Sequence, residues 1–454
     1  MLSAALFVAP SVIDQTLDLL GVENLNIAMQ AQAQTQTKKH CQDDGQPRRT
    51  PAMSEKIFKD LSKVTALAQP EAEEGQPEPQ PDFPGAKREL DKVLDRCIKN
   101  ECNKYEMASI YNYMGWISFS LNDTLGAIKA YELLVAQVPE IPQGLELQTY
   151  LTLGKLALQE EKLDTSLKYV NKWIAASCTE DAEVYQLRSN IHYFKNDKVN
   201  ALKDITRAVK MVEDKGQTPK EAWWNLQKAL LLEREEYRTA LPVIIKMIRH
   251  YPKFQSWDQL SSIYGILEQE TNQRHALDAL YQMGGFTKEN QYINLAYLYI
   301  GADYPYKGAK ILQEGIDKKI VKANSRNLQT LAQAYAASQE LDKSIPVMEK
   351  AAASADNGDL YAQLVSLYLG KDNFSKAISS GKKAIEKKNL RRAGEVHLNM
   401  GIAYFEQKKF EAAVSSFKKA KDYDATSRLA DNWMRHAASE WDRDTKLKEA
   451  MEDS

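Results

Sequence analysis

"NMGIAYFEQKKFEAAVSSFKKA" (399–420) decides how the rest of this chain is read. Met400, Gly401 and Tyr404 recur at helical spacing, and beyond the charged turn "EQKK" so do Phe410, Ala413, Phe417 and Ala420. Two short amphipathic helices facing each other across a turn produce that pattern. Neither helix can bury its apolar stripe alone, so the stretch makes sense as one brick among several.

Other segments carry the same brick. "YEMASIYNYMGWISFSLNDTLGAIKAYELLVAQVP" supplies Tyr111, Met114, Gly115, Ala127, Tyr131 and Pro139. "GLELQTYLTLGKLALQEEKLDTSLKYV" supplies Tyr150, Leu153, Gly154 and Ser166. "NLQTLAQAYAASQELDKSIPVMEKAA" and "LYAQLVSLYLGKDNFSKAISSGKKAI" repeat it around Ala332 and Ser344, then Tyr361 and Ala377. A small residue opens each second helix at Ala127, Ser166, Ala201, Ala240, Ala276, Ala309, Ser344, Ala377 and Ala413, in steps of 33 to 39 residues. Large-x-x-Leu-Gly/Ala-x-x-Tyr followed by Ala-x-x-x-aromatic at this period resembles the tetratricopeptide repeat. The expected fold is all-α: an α-solenoid of about nine to ten helix-turn-helix units with a C-terminal capping helix. The stretch from Ser261 to Ala276 is three residues longer than usual, which predicts a lengthened helix or turn there.

Four segments follow. Residues 1–47 read as a signal-like leader and a disordered stretch, residues 48–104 as an irregular first helical pair, 105–424 as the superhelix, and 425–454 as the capping helix and tail. The first pair contains "QPEAEEGQPEPQPDFPG" (69–85), with five prolines, five carboxylates and no basic residue, expected as an exposed, extended linker. In the tail, Trp433 and Trp441 are suited to cover the last unit.

The 60 basic and 62 acidic side chains nearly cancel, which disfavours nucleic acid as the partner. "LSAALFVAPSVI" (2–13) is apolar but too short to span a membrane. A small-x-small site at Ala31-Gln32-Ala33 suits a signal peptidase, although no Lys or Arg precedes Lys38. Export to the periplasm is the first expectation and a cytoplasmic chain the second. Of the four cysteines, Cys97 and Cys102 flank a turn in "RCIKNECN", where a bridge and a pair of free thiols both fit. No histidine or cysteine stands at metal-ligand spacing, and GxSxG, P-loop and GxGxxG signatures are lacking. No enzyme and no cofactor are expected. The basic run "KKAIEKKNLRRAGE" suits a solvated helix and turn, or else an acidic partner or an anionic surface.

If the array binds a protein or peptide, positions 2, 5, 9 and 12 of each first helix should do it, because they point to the concave face. That rule selects Asn112, Trp116 and Phe119, then Lys155 and Leu158, Gln186, Asn190 and Tyr193, Asn225, and Tyr297. Asparagines at such places can hold a peptide backbone, and aromatics its side chains.

A narrower resemblance rests on "RRTPAMSEKIFKDLSK" (48–63), "EAWWNLQKALLLEREEYRTALPVIIKMIRHYPK" (221–253), "WDQLSSIYGILEQETNQRHALDALYQMGG" (257–285) and "NLAYLYIGADYPYKGAKILQEGI" (294–316). These phrases, with "VPEIPQGLELQTYLTLGKLALQ" (138–159), are similar to periplasmic tetratricopeptide proteins encoded beside TonB, ExbB and ExbD. The resemblance implies a scaffold of the TonB energy-transduction system that drives iron uptake. An adaptor for another envelope assembly process and a cytoplasmic repeat regulator share the same features.

Overall fold

The computed structural model describes residue 48 and residues 50–70, 79–99, 102–177, 179–387 and 389–452. The expected leader, Cys41, Cys178 and most of the acidic insertion (71–78) lie outside the described residues. Among these there are 21 α-helices and no strand. The chain divides into two compact units, Met1–Val243 and Ile244–Ser454. Unit 1 holds α1 (Glu55–Ala68) and α2 (Phe83–Lys99), α3 (Lys104–Ser120) and α4 (Thr124–Val135), α5 (Gln143–Gln159) and α6 (Leu163–Ala176), α7 (Ala182–Phe194) and α8 (Lys198–Glu213), then α9 (Glu221–Glu233). The boundary falls within α10 (Tyr237–His250). Unit 2 holds α11 (Phe254–Ile266) and α12 (Glu270–Gln282), α13 (Glu289–Gly301) and α14 (Pro305–Asp317), α15 (Ser325–Ala337) and α16 (Leu341–Ala353), α17 (Asp359–Leu369) and α18 (Phe374–Glu386), α19 (Ala393–Glu406) and α20 (Phe410–Lys421), and a last helix, α21 (Asp424–Glu452). Odd-numbered helices up to α19 open a pair and are called A; their partners are called B.

The repeat is visible in the backbone before any side chain is considered. Nine A–B turns share one residue in the left-handed region: Asn122, Glu161, Asn196, Glu235, Glu268, Asp303, Gln339, Asp372 and Lys408, with φ between 53° and 63°. The next N–H reaches back to the carbonyl five residues earlier, as in Asp123 to Ser118 (2.8 Å) and Asn373 to Tyr368 (2.8 Å). This six-to-one bond satisfies a carbonyl that the helix end would otherwise orphan, and it turns the chain sharply into helix B. Asp123, Asp197 and Asn373 then cap the B helix by accepting from the N–H three residues on.

Helix contacts explain the small residues. A Cβ on Gly401 would lie 2.5 Å from the Phe417 ring, and one on Gly115 2.6 Å from the Tyr131 ring. Where serine replaces the small partner, it bonds across the contact: Ser166 Oγ donates to Gly154 O (2.6 Å) and Ser344 Oγ to Ala332 O (2.7 Å), both pairs separated by 12 residues. The same offset corrects two sequence assignments. Gly308, not Ala309, opposes Ala296, since its Cβ would sit 2.7 Å from the Ala296 carbonyl. Gln273, not Ala276, stands twelve residues after Ser261, and the extra length expected there does not exist: α11 and α12 have 13 residues each and the usual turn. Bulk at Gln273 is accommodated by Gly265, whose Cβ would meet Gln273 Nε2 at 2.6 Å.

The first pair is an ordinary hairpin with an insertion in its turn. Asp82 N donates to Leu67 O (2.8 Å), closing the base, and Asp82 Oδ1 accepts from Gly85 N (2.8 Å) to cap α2. Helix α2 therefore starts at Phe83, inside the span assigned to the linker. Loop closure costs more as the loop lengthens. Exchanging residues 69–81 for a three-residue turn should therefore stabilise the first pair by about 1 kcal/mol, read as a raised thermal midpoint; a fall would show that the insertion holds the pair together.

Cys97 and Cys102 are bridged, with Cα atoms 4.9 Å apart, so of the two pairings open from sequence the bridge is the one formed. It ties the end of α2 to the segment before α3. Residue 48 and residues 50–54 lie over the A-helix N-termini before α1 begins. Arg48 pairs with Glu146 of α5, Asn103 Nδ2 donates to Ala52 O (2.9 Å), and Ser54 N donates to Glu106 Oε1 (2.9 Å). Glu106 is 5% exposed. Burial alone would raise its pKa, but the bonds from Ser54 and Asn103 outweigh that and hold it below the ordinary carboxylate value.

Helix α21 covers the end of unit 2. Ala430 and Ala437 are fully buried, and Trp433 stacks on Phe417 with ring centroids 5.8 Å apart. Trp441, expected in the same cover, is 40% exposed; the helix has run past the last pair by then. Nearby, half-buried His397 stacks on Tyr423 at 6.3 Å. Burial, aided by Lys419, pushes the His397 pKa below 6.5, while Asp422 pulls it back. Below that value the unfolded chain takes a proton that the folded chain resists, so stability falls as pH drops from 7.5 to 5.5. His397→Tyr, the residue type found at Tyr111 and Tyr361, should flatten that slope in urea titrations at the two pH values.

Candidate partner-binding groove

Within unit 1, α1 packs against α3 and α5 against α7; within unit 2, α17 packs against α19 and α19 against α21. Helices of the A class thus stand side by side, and the surface they share is termed the inner face of each unit. In unit 2 this face carries a ladder of polar rungs from one A helix to the next. Gln291 Nε2 donates to Asp258 Oδ1 (3.0 Å), the Tyr297 hydroxyl meets Thr330 Oγ1 (3.0 Å), Gln333 Nε2 donates to Gln363 Oε1 (3.0 Å), and Asn399 Nδ2 reaches Ser366 Oγ (3.4 Å).

Along α15, α17 and α19 the ladder opens into a groove of about 580 Å³. Its floor presents the amides of Gln329, Gln363 and Asn399 beside Ser366. Its wall, at the helix N-termini, presents Arg326, Arg391 and Arg392. Arg391 Nε donates to Asp359 Oδ2 (2.8 Å), and Arg392 pairs with Glu395. Arg326 has no ion pair among the described residues. Side-chain amides offer a donor and an acceptor each, which is what an extended backbone requires.

The residues selected from sequence are not gathered in this groove. Trp116 is 8% exposed, edge-on to Phe83 at 5.9 Å and Tyr113 at 6.1 Å, so it belongs to the core of the first two pairs rather than to the inner surface. Leu158 is likewise buried, and Phe119 packs against the same core as Leu153 and Tyr150. A large apolar side chain at these positions turns inward because burial outweighs the position's geometry. Asn112, Lys155, Gln186, Asn190 and Tyr193 are half-buried across α3, α5 and α7. Asn225 Oδ1 accepts from Lys228 Nζ (3.1 Å). Tyr297, 45% exposed, is a rung of the ladder. The same positional rule, applied to later pairs, yields Arg326, Gln329, Asp359, Ser366 and Glu395, so the signal was present; Gln363 and Asn399, one place off, lie beyond it.

A model of the tetratricopeptide repeat family matches residues 394–427, which is α19, α20 and the start of α21. The chain contains a tetratricopeptide repeat. Its other pairs with the same turn and the same helix contact share the tetratricopeptide geometry. No curated protein matches the chain. Among solved structures it is similar to MamA of MSR-1 (22% identity, TM-score 0.32, 40% of this chain and 99% of that one). It is also similar to a tetratricopeptide repeat protein from Parabacteroides merdae ATCC 43184 (14%, 0.28, 57% and 98%) and to Naa15/Naa10 bound to HypK-THB (14%, 0.37, 77% and 57%). Likeness at this level carries nothing about a partner. Among the described residues, no helix is long and apolar enough to cross a membrane, and no group of metal-ligating side chains occurs.

Proposed function

We propose that this chain is a non-enzymatic scaffold that holds an extended segment of a partner protein on the inner face of unit 2. The observation that carries the reading is the groove over α15, α17 and α19, where amide side chains line the floor and guanidinium groups the wall. Nothing in it is poised to form or break a covalent bond. Gln363→Trp, which would fill the floor without touching the helix contacts or changing the groove's charge, should lower recovery of the partner in a pull-down at least tenfold. Unchanged recovery would move the site elsewhere.

The setting we propose is the periplasm, with the TonB energy-transduction system as the partner complex. Support comes from the phrase-like resemblance of residues 48–63, 138–159, 221–253, 257–285 and 294–316, and from the Cys97–Cys102 bridge, which suits an oxidising compartment. Fractionation of the producing cell tests the compartment. A periplasmic pull-down that recovers no TonB-system protein would count against the complex while leaving the peptide-binding reading intact.

A further inference from the structure

The groove's charges differ in depth. The Arg391 side chain is 81% exposed and its partner Asp359 21%; the Arg392 side chain is 73% exposed and Glu395 40%. Each carboxylate sits back and holds its arginine from behind, while the guanidinium projects. Arg391 spends Nε on Asp359, which leaves its terminal nitrogens open for a second carboxylate. Arg326, two A helices away, projects unpaired among the described residues. An incoming segment therefore meets three projecting arginines, Arg326 at one end and Arg391 and Arg392 at the other, against one exposed carboxylate, Asp356.

This chain carries a segment of the opposite character. Residues 70–81 contain Glu71, Glu73, Glu74 and Glu78, four prolines and no basic residue. They leave and rejoin the fold at one point, the Leu67–Asp82 hydrogen bond. We propose that the groove over α15, α17 and α19 docks the acidic insertion of a second copy of this chain, so that copies associate head to tail. The proposal rests on the peptide-binding reading above and names an occupant for the same site.

The spacing fits. Two steps between neighbouring A helices span about 20 Å at the usual interaxial distance. The seven steps from Glu71 to Glu78 would cover about 22 Å if drawn out at the rise of a polyproline helix. Prolines restrict the chain beforehand, so less freedom is lost on docking. A head-to-tail contact is heterologous and leaves a groove and an insertion unused at the ends, so the assembly grows with concentration.

The test uses the intact chain, a full-length variant with residues 69–81 replaced by a three-residue turn, and a labelled peptide of residues 69–82. The intact chain should show concentration-dependent association in sedimentation, which the turn variant and an Arg326→Ala/Arg391→Ala variant lose. The turn variant should bind the labelled peptide, with at least tenfold weaker binding when Glu71, Glu73, Glu74 and Glu78 are glutamine or when both arginines are removed. Equal binding of the glutamine peptide overturns the proposal. So does a peptide that binds while the intact chain stays monomeric at every concentration, since docking would then be internal. If this peptide fails but unrelated extended peptides bind the groove, the inference falls and the proposed function stands. If no extended peptide binds, both fall.

Discussion

Phe417→Ala is expected to loosen the last repeat by about 3–5 kcal/mol while leaving unit 1 unchanged. Phe417 is fully buried, lies against Gly401 and stacks on Trp433 of α21. Truncation removes the ring that joins three helices and leaves a hole where Gly401 offers no side chain to fill it. In a repeat array each unit touches only its neighbours, so the loss stays local. Amides of α19, α20 and α21 should exchange about 10²–10⁴ times faster, by the tenfold per 1.4 kcal/mol relation. Equal acceleration in α3 to α8 would show that the chain unfolds as a block, and the repeat description would then fail energetically.

Arg48→Ala should cost about 3 kcal/mol in the first three pairs, although Arg48 precedes the first helix. The Glu146 side chain is only 4% exposed, and Arg48 is its ion-pair partner. The site beside it is already low in polarity: burial, with Glu146 next, pushes the Tyr150 hydroxyl up to about 12. Losing the arginine strands a buried carboxylate. Arg48→Met combined with Glu146→Gln should recover most of the loss, because a neutral pair has no charge to desolvate. Urea denaturation followed through Trp116 and Trp173 reads the difference. A single variant as stable as the parent would mean that the strap over α3 and α5 contributes nothing.

The hairpin order and the helix-contact residues could be read from the chain because a close helix approach admits only small side chains, and these recur at Gly115, Gly154, Gly401, Ala127 and Ala413. Reading failed where one small residue substituted for another. At Gln273 the gap is provided by Gly265 on the opposite helix, so a search for alanine on helix B slipped to Ala276. The strap was illegible, since nothing local in residues 48–54 says that Arg48 meets Glu146 across 98 positions. The groove was half legible. Position along an A helix indicates which residues face inward, but not which large ones fold back into the core, as Trp116 does, nor in which pairs the polar ones converge.

The inner face of unit 2 is proposed as the place where this molecule meets its partner. A photo-crosslinking amino acid placed at Gln363, on the groove floor, and at Ser379, on the exposed side of α18, tests it in the producing cell. Position 363 should give one discrete adduct, reduced by Arg326→Ala/Arg391→Ala, and position 379 none. The same adduct from both positions, or from 379 alone, would contradict it.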